Sequence, residues 1–178
     1  VSASCNDDAI AWYENLGDTD DDGTLDWTAA DIATSADCAW GVFAADMDND
    51  GDMDVVSASE TDDTIAWYEN NNGDGSSWTA ADIDIYADGA HDVFVADMDD
   101  DGDMDIVSAS WEDDTIAWYE NDGVSDPSWT AANIDTNANG ANRVFVADMD
   151  NDGDMDILSA SVLDSTIAWY ENNGALNP

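Results

Sequence analysis

The sequence predicts an all-β fold assembled from antiparallel sheets of four short strands, and three observations predict it. An acidic nonapeptide recurs with a step of 51 residues, running from Asp46 to Asp54, from Asp97 to Asp105 and from Asp148 to Asp156. Short apolar runs rich in β-branched and aromatic residues flank it in each repeat, which is the pattern of strands. Between those runs lie clusters of Gly, Asn, Asp and Ser, with no helical periodicity.

Each repeat then resolves into four positions, A to D. Position A is the run before the acidic peptide: Val42-Phe43-Ala44-Ala45, Val93-Phe94-Val95-Ala96 and Val144-Phe145-Val146-Ala147. Position B follows it as Val-Val-Ser-Ala-Ser or a close variant. Position C is Ile-Ala-Trp-Tyr-Glu-Asn, with its Trp at 12, 67, 118 and 169. Position D is Trp-Thr-Ala-Ala-(Asp/Asn)-Ile over 27–32, 78–83 and 129–134. Four short strands per unit of this length match one blade of a β-propeller, and a solenoid of hairpins is the alternative. Seven of the nine Trp fall at positions C and D, where they are expected to fill the core between blades. The 178 residues read as one propeller segment with blade parts 1–35, 36–86, 87–137 and 138–178. With neither an initiator Met nor a signal peptide at Val1, the sequence reads as a mature product or an excerpt of a longer chain; it enters at position B, and the last repeat stops after position C. The incomplete outer blades are expected either to belong to a larger array or to be completed by other copies of the chain, because open edges invite pairing.

Composition bounds the partners. Forty-four acidic residues stand against one Arg and no Lys, a formal charge of -43. Nothing could neutralise phosphates, so nucleic acid and anionic membranes are excluded as partners, and no apolar stretch approaches the roughly 20 residues of a membrane span. With 44% hydrophobic residues the chain is expected to fold, so its self-repulsion calls for compensating cations. The acids are overwhelmingly Asp at fixed spacing, which points to coordination rather than to a solvating surface.

The acidic peptide reads Asp-x-Asp-x-Asp-Gly-x-x-Asp. It offers carboxylates at positions 1, 3, 5 and 9 (Asp46, Asp48, Asp50, Asp54; Asp97, Asp99, Asp101, Asp105; Asp148, Asp150, Asp152, Asp156), and Gly at position 6 allows the sharp turn. Hard oxygen donors at such spacing suit Ca²⁺, with Mg²⁺ second. An EF-hand needs Glu at position 12, where Ser57, Ser108 and Ser159 stand. The six Met occupy positions 2 and 8 and are expected to peg the loop to the blade. A fourth candidate lies in the longer C-to-D connection of the first repeat, where Asp18, Asp20, Asp22, Gly23 and Asp26 repeat the spacing. An acidic surface insertion is its alternative reading.

The run Val-Phe-Val-Ala-Asp-Met-Asp-x-Asp-Gly-Asp-Met-Asp-Ile-Val-Ser-Ala-Ser, followed by Ile-Ala-Trp-Tyr-Glu-Asn, resembles the FG-GAP or VCBS repeat, the blade unit of integrin α-subunit propellers and of many large secreted proteins. The resemblance covers essentially the whole chain. It implies a calcium-binding propeller outside the cell, commonly seven-bladed, in adhesion or surface proteins. It also implies backbone carbonyl ligands from Asp52, Asp103 and Asp154. Extracellular modules bind calcium with Kd of about 10⁻⁴ to 10⁻³ M, and a hundredfold excess over Kd stabilises by about 2.7 kcal/mol per site.

The repeats differ mainly in the B-to-C loop and in the segment entering position A, at the end of the blades opposite the acidic loops. Loops on a repeated scaffold carry function, and Trp40, Trp111, His91 and Arg143 lie there; glycans or surface proteins are the expected partners, with sequence drift as the alternative. The only cysteines, Cys5 and Cys38, fall on this face in neighbouring loops. A disulfide is expected, fitting an oxidising extracellular compartment, and two free thiols are the alternative. One His, one Arg and no Lys leave no triad or phosphate loop, so the chain is expected not to be an enzyme. A structural or adhesive role, with self-association, is the leading expectation, and a lectin-like binding module the second.

Overall fold

The β-branched and aromatic runs become strands in the computed structural model, which describes residues 1–174. The first sheet joins β1 (Ser2–Ser4), β2 (Ala9–Gly17) and β3 (Asp26–Ala33). The second runs β4 (Ala39–Ala45), β5 (Asp54–Ser59), β6 (Thr64–Asn70) and β7 (Trp78–Asp84) in that order. The third repeats it with β8 (Ala90–Ala96), β9 (Asp105–Ser110), β10 (Thr115–Asn121) and β11 (Trp129–Asp135). The fourth holds β12 (Ala141–Ala147), β13 (Asp156–Ser161) and β14 (Thr166–Tyr170). All pairings are antiparallel between sequence neighbours, so the architecture is all-β with blades of positions A to D, as the repeat predicts.

Position A strands are longer than their apolar runs because each begins with a β-bulge. The register slips between Ala39 and Gly41, between Ala90 and Asp92, and between Ala141 and Arg143. The bulged residues are Trp40, His91 and Asn142. Strands β5 and β9 are buried along their whole length. Their Ser and Ala let sheets approach closely on both faces, as stacked blades require.

The core lies between blades. Met47, Val56, Trp67, Val93, Ile106 and Tyr119 form the seam of the second and third sheets, and Val107, Trp118, Val144 and Ile157 that of the third and fourth. Truncating a buried Trp of this kind to Ala costs about 3 to 5 kcal/mol. The tryptophan expectation needs correction at other positions. Trp67 and Trp118 are buried and Trp78 and Trp129 pack against the core, yet Trp27 and Trp169 are 57% and 49% exposed, because the first and last sheets are covered on one side only. The Met expectation also divides: Met47 and Met98 are buried pegs and Met104 packs against the core, whereas Met53, Met149 and Met155 are exposed.

Side chains latch one blade to the next. Phe43, Phe94 and Phe145 contact one another in series, tilted and then edge to face, at centroid distances of 4.8 and 5.1 Å. The Tyr119 hydroxyl donates to Asp84 Oδ2 at 3.0 Å and Tyr170 to Asp135 at 2.9 Å. Asn121 Nδ2 donates to the Met47 carbonyl, and Asn172 Nδ2 to that of Met98, both at 2.8 Å. The first seam differs, since Ala33 stands where Asp84 and Asp135 do and, among the described residues, Tyr68 has no such carboxylate partner. Instead, Cys5 and Cys38 are joined there by a disulfide.

Candidate metal centres

Each acidic loop folds on its own first carboxylate. Asp46 accepts from the backbone N–H groups of Asp50 and Gly51 at 3.1 and 3.0 Å, and Asp50 accepts from Asp52 N–H at 2.8 Å. Asp97 does the same for Asp101 and Gly102, and Asp101 for Asp103. Asp148 accepts from Asn151 and Gly153, and Asp152 from Asp154. The turn forces position 4 and Gly at position 6 into left-handed backbone, with φ of 62° at Asn49 and 96° at Gly51; a side chain at position 6 would be strained.

The insertion of the first repeat has the same frame. Asp22 and Gly23 donate to Asp18 at 3.0 and 2.9 Å, Thr24 donates to Asp22 at 2.8 Å, and φ is 60° at Asp21 and 86° at Gly23. Two different connections, C-to-D in the first sheet and A-to-B in the others, thus close into one loop conformation at the same end of the blades. They differ at the last carboxylate. Asp26 is pinned by Thr19, whose hydroxyl and N–H hold its carboxyl below the usual range, whereas Asp54, Asp105 and Asp156 are buried.

Those buried carboxylates close the loops. Asp105 accepts from Met98 N–H at 3.1 Å and from Asn121 N–H at 2.8 Å. Asp54 repeats the arrangement with Met47 and Asn70, and Asp156 with Met149 and Asn172. Burial pushes the Asp105 carboxyl up to about 7 despite both N–H bonds, and moves Asp54 in the same direction. Burial, reinforced by neighbouring carboxylates, also raises Asp48 and Asp99.

Carboxylate oxygens converge within 4.8 Å of one another in four groups: Asp18, Asp20 and Asp22; Asp46, Asp48 and Asp50; Asp97, Asp99 and Asp101; Asp148, Asp150 and Asp156. Among the described residues Asp99 Oδ1 is buried with no hydrogen-bond partner. An anionic oxygen left so is costly, and a hard cation would satisfy it. The donor set therefore fits Ca²⁺: oxygen only, carboxylate-rich and closed by a tight turn. The side chains of Asp52, Asp103 and Asp154 instead lean on the segments that follow position C, against Gly73, Gly123 and Gly174.

Neighbouring loops also touch, which no single-repeat pattern reveals. Asn49 Nδ2 donates to Asp103 Oδ1 at 2.6 Å. One blade further on, Asp100 replaces the amide, and its charge helps to raise the Asp154 carboxyl, after burial and Asp152.

At the other end of the blades the structure brings together all four residues singled out in the variable loops. The Trp40 and His91 rings stack at 4.7 Å with an 18° interplanar angle, and His91 meets Trp111 at 5.8 Å. Arg143 Nη1 and Asn142 Nδ2 lie 3.3 and 3.1 Å from His91 Nδ1. Glu60, which sequence reasoning missed, accepts from Trp40 Nε1 at 2.6 Å; its signal was that it occupies the B-to-C position of Cys5 one repeat later. Cys38 adopts φ of 56°, where the other repeats place Gly89 and Gly140 at 69° and 68°. A cysteine at a position suited to glycine is explained by the disulfide it makes.

The sequence matches a family model described as FG-GAP-like repeat over residues 1–57, 46–108 and 97–159. No curated protein matches the chain at a significant level.

Proposed function

The chain belongs to the FG-GAP-like repeat family, and from that premise we propose that it is a non-enzymatic, extracellular propeller-type module stabilised by calcium, with a structural or adhesive role. FG-GAP repeats form repeat modules that are typically extracellular and non-enzymatic. Among the described residues no helix is long and apolar enough to cross a membrane, and the Cys5–Cys38 disulfide fits an oxidising compartment.

The observation that carries the calcium reading is the convergence of carboxylates in four loops of one hydrogen-bonded frame, in a chain with a single Arg and no Lys to balance them. Asp46, Asp48, Asp50 and Asp54 would hold one ion, and Asp97, Asp99, Asp101 and Asp105 a second. Asp148, Asp150, Asp152 and Asp156 would hold a third, and Asp18, Asp20, Asp22 and Asp26 a fourth. Carbonyls of Asp52, Asp103 and Asp154 complete the donors that the family resemblance implies. Calcium neutralises the loops, relieves the buried carboxylates and lets the blades stack. A scaffold of near-identical repeats stiffened in this way suits load-bearing or adhesion, including association with further copies.

Calorimetric titration of EGTA-stripped protein tests the reading, with melting followed by tryptophan fluorescence. Three or four ions bound near millimolar calcium, with a rise in melting temperature and a weaker response to magnesium, are expected. Absence of binding at 10 mM calcium, with an unchanged melting temperature, would overturn it. Light scattering on the same samples reads assembly, which the structural role expects to require calcium.

A further inference from the structure

The end of the blades opposite the acidic loops has a construction of its own. Three consecutive inner strands each open with a β-bulge, and bulges re-aim side chains. The bulged residues, Trp40, His91 and Asn142, are what the repeat leaves variable, and they meet one another across the blade seams. Trp40 is nevertheless 46% exposed. Its indole is fixed in place, with one face against the imidazole and its N–H edge held by Glu60. The strand that carries it is anchored by the disulfide two residues away.

The only Arg and the only His of the chain also converge here. Arg143 is exposed and spends Nη1 on His91 and on the Asn142 carbonyl. Among the described residues it makes no ion pair, in a protein of charge -43. Its other guanidinium N–H groups are therefore available as donors beside an ordered aromatic surface, with the Glu60 carboxylate as acceptor on the far side of the indole.

We propose that Trp40, His91, Trp111, Arg143 and Glu60 form a binding platform for a neutral pyranose of a glycan. A pyranose offers an apolar C–H face for the open side of the Trp40 indole. Its hydroxyls both donate and accept, matching Glu60 and Arg143. An anionic sugar is disfavoured by the Glu60 and Asp92 carboxylates next to the cluster and by the net charge, which one guanidinium does not offset. A rigid aromatic surface also loses little entropy on binding. The platform uses none of the acidic-loop residues, so its failure and that of the calcium reading are separable.

The test keeps 5 mM calcium present throughout and follows folding by circular dichroism. Intact protein is titrated with cellobiose, N,N′-diacetylchitobiose, maltose, lactose and digalacturonate while tryptophan emission and calorimetric heat are read. At least one neutral disaccharide is expected to bind, with Trp40→Ala weakening it tenfold or more at unchanged melting temperature. Trp40→Phe should retain part of the affinity and Arg143→Gln should weaken it severalfold. Silence from all four neutral sugars, binding indifferent to Trp40→Ala, or binding confined to digalacturonate would each overturn the proposal.

Discussion

Replacing Asp105 by Asn separates the two tasks that this carboxylate performs. In the ion-free protein Asp105 is a buried anion whose carboxyl is pushed up to about 7. A rise of that size makes the buried charge cost a few kcal/mol, on the order of 2 to 4, at neutral pH. Asn removes that cost, but its amide opposes one of the two N–H groups that the carboxylate accepts, from Met98 or Asn121, a loss of about 1 to 3 kcal/mol. The two effects nearly cancel, so urea unfolding in EGTA should give wild-type-like stability. With calcium at a hundredfold excess over Kd the variant should lack the contribution of one site, about 2.7 kcal/mol. The pH dependence has a definite sign. Between pH 7 and the unfolded carboxyl value near 4, the folded ion-free chain holds a proton that the unfolded chain does not, so acidification from pH 8 to 5 stabilises the wild type, and the variant should lose much of that rise. Equal destabilisation with and without calcium would refute the reasoning, because it would make Asp105 a hydrogen-bond acceptor and nothing more.

Three further outcomes are expected. Reducing the Cys5–Cys38 disulfide, or replacing both cysteines by Ser, should lower stability by about 3 to 4 kcal/mol on the loop-entropy model, read as an earlier urea midpoint; an unchanged midpoint would show that the first seam holds without it. Tyr119→Phe should cost about 1 kcal/mol by leaving Asp84 without its buried donor, whereas Tyr68→Phe, facing Ala33, should cost less; equal losses would contradict the latch. Asp100→Asn should raise the melting temperature in EGTA, because it restores at the third seam the amide that Asn49 supplies at the second, and a fall would show that the two loops do not feel each other.

Much of this was legible because the repeat is so regular. The apolar runs located the strands to within a few residues, and the spacing of Asp and Gly marked all four loops, including the one in a different connection. What escaped depends on neighbours that a single repeat does not contain. The bulges at Trp40, His91 and Asn142 lengthen position A beyond its apolar run, since they are set by how adjacent inner strands pack. The Asn49–Asp103 and Asn121–Met47 bonds join residues 54 and 74 apart and have no local pattern. Trp67 and Trp27 share a composition signal but not an environment, because burial depends on the position of the strand within the blade and of the blade within the row.

The latch from Asn121 to the Met47 carbonyl sets an order of events in time. Met47 sits inside the first A-to-B acidic loop, yet its carbonyl is claimed by a side chain 74 residues downstream, and the next loop waits in the same way for Asn172. A ribosome adding roughly 5 to 20 residues per second takes several seconds to cover that distance. During that interval the carboxylates of the loop face one another without the blade that frames them. A chain folding from its N-terminus would therefore complete the 46–54 and 97–105 loops one blade behind the growing end.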